Sequence, residues 1–198
     1  MKKSSLIIIA IVVVLGLILY NTFSGSDNKM VTMEESVESA WSTVETQYQR
    51  RADLYNSVVN TIKGSADFEQ ETLNSVIEAR SRATSLNIDA DDLTPAKIAE
   101  FQNAQDQLSG AFSRLLVSVE RYPELKTTQA FRDFQVQIEG TENRINKARN
   151  DFNQQVQSFN TYIKQFPTNL MAGLFGFGEK GYFKAQEGSQ NVPEIDFG

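Results

Sequence analysis

Two groups of ionisable side chains offer chemistry: Arg50, Arg51 and Asp53 in one stretch, and Glu139, Glu142, Asn143, Arg144 and Arg149, with Asn153, far downstream. A guanidinium presents a planar fork of donors that matches a carboxylate or phosphate. Glu139 and Glu142 stand three apart, so on a helix they share one face and can act as acid and base if a cleft separates their pKa values. No such cleft is marked in the sequence, and the ordinary role of the pair is ion pairing with Arg144 or Arg149. Guanidinium and carboxylate groups meeting between helices fix register and pairing. A ligand or partner site built on the same residues is the sharper reading.

Two other patterns invite a functional reading. Asp89, Asp91 and Asp92 with Glu100 echo a calcium loop, but Leu93 and Thr94 fall where a ligand and the glycine should be, so these acids are expected to be solvated near a helix N-terminus. Gly173-Leu174-Phe175-Gly176-Phe177-Gly178 follows a helix end and opens no new one, which suits a helix stop with an aromatic clamp better than a phosphate cradle. Histidine and cysteine are absent, which removes Ser/His and Cys/His nucleophile systems, imidazole acid/base chemistry and nearly all zinc, copper and haem ligation. The chain is therefore expected to be no enzyme and to hold no metal or cofactor. A net charge of −6 with dispersed basic residues also argues against nucleic acid as a partner.

The elements that must position these residues are helical. Leu6 to Tyr20 is an uninterrupted apolar run, extended to Phe23 across Asn21 and Thr22. About 18 residues give roughly 27 Å of helix, close to a bilayer core of about 30 Å. The run is expected to be an uncleaved transmembrane anchor over 6–23, preceded by a cytoplasmic N-terminus (1–5). Lys2 and Lys3 lie before it, so the positive-inside rule sends the remainder out of the cytoplasm. Residues 24–31 read as a polar hinge.

Beyond the hinge, residues 32–166 read as an elongated antiparallel bundle of three to four long helices. Thr32 and Glu35 form a capping-box pattern. Val37, Trp41, Val44, Tyr48, Arg51, Tyr55, Val58 and Ile62 make a heptad seam with Arg51 as its charged intruder. Asp67 and Gln70 offer a cap before Leu73, Val76, Ile77, Arg80 and Ala83. Thr94 and Pro95 open a second seam of Ile98, Phe101, Gln105, Leu108, Phe112, Leu115 and Val119. A last helix from Thr127 to Phe166 carries Phe131, Phe134, Ile138, Thr141, Ile145, Ala148 and Phe152, then Val156, Phe159, Ile163 and Phe166 after a stutter, and Pro167 ends it. Residues 167–198 form an aromatic and glycine-rich tail that either docks on the bundle or awaits a partner, with Val192, Pro193, Ile195 and Phe197 as its closing motif.

Taken together, Gln49-Arg50-Arg51-Ala52-Asp53-Leu54, Val76-Ile77-Glu78-Ala79-Arg80, Tyr122-Pro123-Glu124-Leu125, Glu139-Gly140-Thr141-Glu142-Asn143-Arg144-Ile145, Phe166-Pro167 and Val192-Pro193-Glu194-Ile195-Asp196-Phe197 resemble the LemA family. The resemblance runs in order over almost the whole chain. It implies a single-pass bacterial membrane protein with an antiparallel helical bundle, in a family with no established biochemical activity and no catalytic residues to carry over. Tyr55-Asn56-Ser57 departs from an Ile-Pro-Asn-like step of relatives, so a proline kink in the first helix is not expected.

The function expected from all of this is a non-enzymatic interaction or scaffold protein. It would sit in the inner membrane through a single pass, with its bundle on the extracytoplasmic side. Its partner would be an unidentified envelope protein, or a second copy recruited to form a homo-oligomer. The alternative is a small-ligand or ion sensor using the polar residues between the helices.

Overall fold

The computed structural model describes residues 3–64 and 69–185; the side chains of 3–11, 15–24 and 26 fall outside that description. Among these residues the chain forms helices α1 (Lys3–Lys63), α2 (Gln70–Ser85), α3 (Pro95–Val119), α4 (Pro123–Lys126), α5 (Gln129–Lys164) and α6 (Thr168–Phe175), with a 3-10 turn at Ala90–Asp92. Asp67 and the closing motif Val192, Pro193, Ile195 and Phe197 lie outside the described residues.

α1 is a single helix of 61 residues, about 90 Å long. It passes without a break through 24–31, where turn-forming residues suggest a hinge, and through Tyr55-Asn56-Ser57. One glycine costs a helix only about 1 kcal/mol, too little to interrupt it. Thr32 does not cap: its hydroxyl donates to the Asn28 carbonyl (2.8 Å), as Ser36 does to Thr32 (2.9 Å) and Thr46 to Ser42 (2.9 Å). Hydroxyls that bond back four residues stay within the helix.

Among the described residues, no helix is long and apolar enough to cross a membrane. This overturns the transmembrane anchor expected over 6–23 and the single-pass topology implied by the resemblance. The apolar run ends at Asn21, short of the roughly 20 consecutive apolar residues a bilayer core requires. It opens a much longer helix that continues into Asp27, Asn28 and Lys29 instead of forming an element of its own. The all-α bundle stands without the anchor.

The C-terminal half of α1, α2, α3 and α5 make an up-down-up-down four-helix bundle. α3 runs parallel to α1, since Phe101 meets Trp41 and Tyr48 while Phe112 stacks on Tyr55 at 3.6 Å. α5 runs antiparallel, with Tyr162 near Lys29, Phe152 near Trp41 and Glu142 near Arg51. α2 returns beside α1, where the Arg80 Nε donates to the Ala52 carbonyl at 3.2 Å. Every residue of the first two seams is buried, Arg51 and Gln105 included. The third seam is buried from Thr141 to Ile163, but Phe166 is exposed because α5 stops at Lys164. Thr128 caps α5 by accepting from the Phe131 N–H at 3.2 Å.

The core has two compartments. One gathers Val37, Trp41, Tyr48, Phe101, Ile145, Phe152 and Phe159. The other gathers Ala52, Tyr55, Val58, Leu73, Leu108, Phe112 and Leu115. Arg51 sits between them in sequence on α1, as Gln105 does on α3.

After α6 the chain turns at Gly176, which caps the helix in the left-handed conformation (φ 83°) that favours glycine. Residues 177–185 then run extended over the bundle. Asn160 accepts from the Lys180 N–H and donates to its carbonyl, both at 2.9 Å. Asn153 does the same for Phe183, both at 2.9 Å, and Gln102 for Lys184 at 3.0 and 3.1 Å. The Gly181 N–H donates to the Leu93 carbonyl at 2.8 Å.

Candidate functional site

Arg51 lies on the buried face of α1 with its side chain 5% exposed. Burying a guanidinium is costly unless its donors are satisfied, and here the neighbouring helices supply acceptors. One terminal nitrogen donates to the Ser109 hydroxyl (3.1 Å) and to the Glu142 carboxylate (3.3 Å). The other donates to the Gln105 backbone carbonyl (3.0 Å) and to its side-chain oxygen (2.8 Å). The Tyr48 ring lies 4.8 Å and the Tyr55 ring 5.8 Å from the guanidinium carbon, at cation–π distance. Arg51 Nε has no hydrogen-bond partner among the described residues.

Glu142 accepts a second bond, from the Tyr55 hydroxyl at 3.2 Å. Burial, opposed by Arg51 and reinforced by the Glu142 charge, pushes the Tyr55 hydroxyl up to about 12. Tyr48 is also pushed up by burial, against the nearby charges of Arg149 and Arg51. The result is a polar layer that ties α1, α3 and α5 together at the boundary between the two apolar compartments.

Of the residues singled out in the sequence, the structure brings together Arg51 and Glu142. Asp53 lies on another side of α1, where Gln49 donates to it at 3.0 Å and Arg80 pairs with it at 3.6 Å. Arg149 caps the docked segment: it donates to the Lys184 carbonyl at 2.6 Å and sits 4.9 Å from the Phe183 ring. Arg50, Glu139, Asn143 and Arg144 are exposed. Glu142 thus takes Arg51 as its partner, not Arg144 or Arg149. Gln105, Ser109 and the Tyr55 hydroxyl complete the layer from outside the two ionisable groups. The signal for Gln105 was present, a polar residue at a seam position just as Arg51 is.

A groove of about 380 Å³ opens beside this layer, between α1, the end of α2 and α3. Its walls include Glu45, Gln49, Thr84 and Asn87, with Tyr48, Phe101 and Gln105 at the side toward Arg51. Burial raises the Glu45 carboxyl above its ordinary value. Among the described residues, Glu45 is the sole formally charged one lining the groove.

The acidic loop is taken up structurally: Asp92 pairs with Lys97, and the Asp91 carbonyl accepts from Lys180 at 3.1 Å. Among the described residues no group of three or more His, Cys, Asp or Glu could hold a metal ion.

These features define a four-helix bundle with a buried arginine layer and, among the described residues, no catalytic constellation. The family model described as LemA family matches residues 40–197, and the chain belongs to that family. Protein LemA of Metamycoplasma hominis is 27% identical over 170 residues, covering 86% of this chain and 74% of that protein. Magnetosome protein MamQ 2 of Paramagnetospirillum magneticum is 25% identical over 205 residues, covering 93% and 71%. Magnetosome protein MamQ of Magnetospirillum gryphiswaldense is 23% identical over 177 residues, covering 79% and 64%.

The membrane-anchored scaffold reading, with its single-pass membrane partner and inner-membrane placement, falls with the anchor, because no described helix is long and apolar enough to span.

Proposed function

We propose that the chain is a small-ligand sensor in which a small organic cation enters the groove between α1, α2 and α3 and is reported to the Arg51 layer. The observation that carries this reading is the position of Gln105. Its side-chain oxygen holds Arg51 at 2.8 Å while the residue also lines the groove. A ligand that draws on the Gln105 amide competes with Arg51, and the layer that joins three helices must readjust. The class of ligand follows from the lining. Desolvation holds the Glu45 carboxyl at a raised pKa, so a cation beside it recovers Coulomb energy. The Tyr48 and Phe101 rings offer an aromatic wall that suits an ammonium group.

The test is a thermal-shift titration of the full chain with choline, putrescine and tetramethylammonium. A ligand at a hundred times its Kd stabilises by about 2.7 kcal/mol, which for a domain of this size raises Tm by roughly 5–10 °C. Binding requires ionised Glu45, so the shift should grow as pH rises through the Glu45 pKa and disappear in Glu45→Gln. An unchanged Tm with all three compounds, or an equal shift in Glu45→Gln, refutes the reading.

A further inference from the structure

Residues 177–185 are held in the way a peptide ligand is held. The backbone is gripped by paired amide bonds from Asn160, Asn153 and Gln102, which would serve any sequence. Four side-chain positions are selective. Phe177 packs on Phe159 with ring centroids 6.4 Å apart. Lys180, only 6% exposed, pairs with Glu34 at 2.6 Å. At Gly181 a Cβ would stand 2.7 Å from the Pro95 Cα, so no side chain fits. Phe183 fills a box of aromatic rings, 5.5 Å from Phe152, 6.1 Å from Trp41 and 6.3 Å from Phe101. The groove therefore reads Phe-x-x-Lys-Gly-x-Phe in an extended chain.

We infer that this groove is a peptide-recognition surface whose partner in trans is the same segment of a second copy. The occupant is fixed by complementarity, since a second copy carries all four selective residues at the spacing the groove requires. The connection permits the exchange: Gly176 and Gly178 flank the point where the segment leaves α6, and glycine is free to adopt either the turned or the straightened path. The gripping residues lie on α1, α3 and α5, far from the segment in sequence, so the same contacts form whichever chain supplies it. Exchange of an identical element is a low-cost route to a dimer. This inference concerns a surface distinct from the cation groove and does not rest on the sensor reading.

The test is complementation between two full-length variants. Asn153→Ala/Asn160→Ala weakens the grip and leaves the segment intact; Lys180→Ala/Phe183→Ala weakens the segment and leaves the grip. Each is incubated alone and mixed, a few degrees below its Tm so that segments can leave, and then weighed by native mass spectrometry. The wild type should dimerise with rising concentration, each variant alone at least tenfold less, and the mixture should yield a one-to-one heterodimer. A mixture that stays monomeric, or a Lys180→Ala/Phe183→Ala variant that dimerises as well as the wild type, overturns the inference. Should either variant not fold, a fluorescent peptide of residues 175–185 added to the wild-type chain decides instead. Capture at least tenfold weaker for the peptide carrying both alanines supports exchange, and no capture, or capture indifferent to them, overturns it.

Discussion

Arg51 stands where an apolar residue would ordinarily complete the α1 seam, and its neighbours show how the charge is tolerated. Both terminal nitrogens are bonded and two tyrosine rings lie at cation–π distance from the guanidinium carbon. Removing it leaves a cavity and strands the Gln105 acceptors, so Arg51→Ala should lose about 3 kcal/mol of unfolding free energy. Arg51→Lys should recover only part of this, because an ammonium cannot fork between α3 and α5. Glu142 is 36% exposed and can turn to water, so Glu142→Gln should cost about 1 kcal/mol or less; urea denaturation of the three variants checks the order. Tyr55 adds a pH signature. Its folded pKa of about 12 lies above the ordinary value near 10, so its contribution is complete below pH 10 and is lost as pH rises toward 12. The full difference is about 3 kcal/mol. Tyr55→Phe should flatten that alkaline loss, and spectrophotometric titration of the wild type should show a tyrosine ionising in the same interval.

At the scale of elements, the docked segment depends on one steric requirement. Gly181→Ala would drive a methyl against the Pro95 backbone at the start of α3, which cannot swing aside as a flexible side chain would. The variant should lose about 1–3 kcal/mol and, in hydrogen exchange, protection at the Lys180 and Phe183 amides. At Gly140 in α5 an added Cβ would meet nothing within 4 Å, so Gly140→Ala should instead gain about 1 kcal/mol from helix propensity. Calorimetric melts that moved both variants in one direction would contradict the steric account. The three seams are legible in the sequence because heptad spacing reports which face is buried, and Trp41, Phe112 and Phe152 lie where it puts them. The hinge suggested at 24–31 does not form because turn propensity is a weak prior against a continuing helix. Half of the arginine layer is legible, since a charged residue in a seam must find acceptors. Which carboxylate it finds depends on how α5 is rotated and staggered against α1, and local spacing does not encode that. The amide grip on 177–185 is hidden for the same reason: Asn153, Asn160 and Gln102 look like ordinary polar helix residues until an extended chain lies across them.

For the whole molecule the question is why a bundle with ample apolar seams keeps a charged layer at the junction of its two core compartments. A buried ion pair is poor evidence of stabilisation, because desolvation offsets much of its attraction. If stability were the only consideration, replacing the layer as a unit should be harmless. In a Tyr55→Phe background, which removes the hydroxyl that donates to Glu142, Arg51→Met/Gln105→Leu/Glu142→Leu should then match the wild type or exceed it by up to about 4 kcal/mol, although Arg51→Met alone loses stability by stranding its partners. The difference should appear in order instead of stability. The polar layer admits one register of α1, α3 and α5, whereas an apolar substitute tolerates several, so the triple variant should show exchange-broadened amide resonances around the junction. The two compartments should also exchange with more nearly independent protection, since the bonds that join them are gone. Sharp resonances and unchanged protection in the triple variant would mean that packing alone sets the register. The layer's retention would then have to be explained by what Gln105 meets in the adjoining groove.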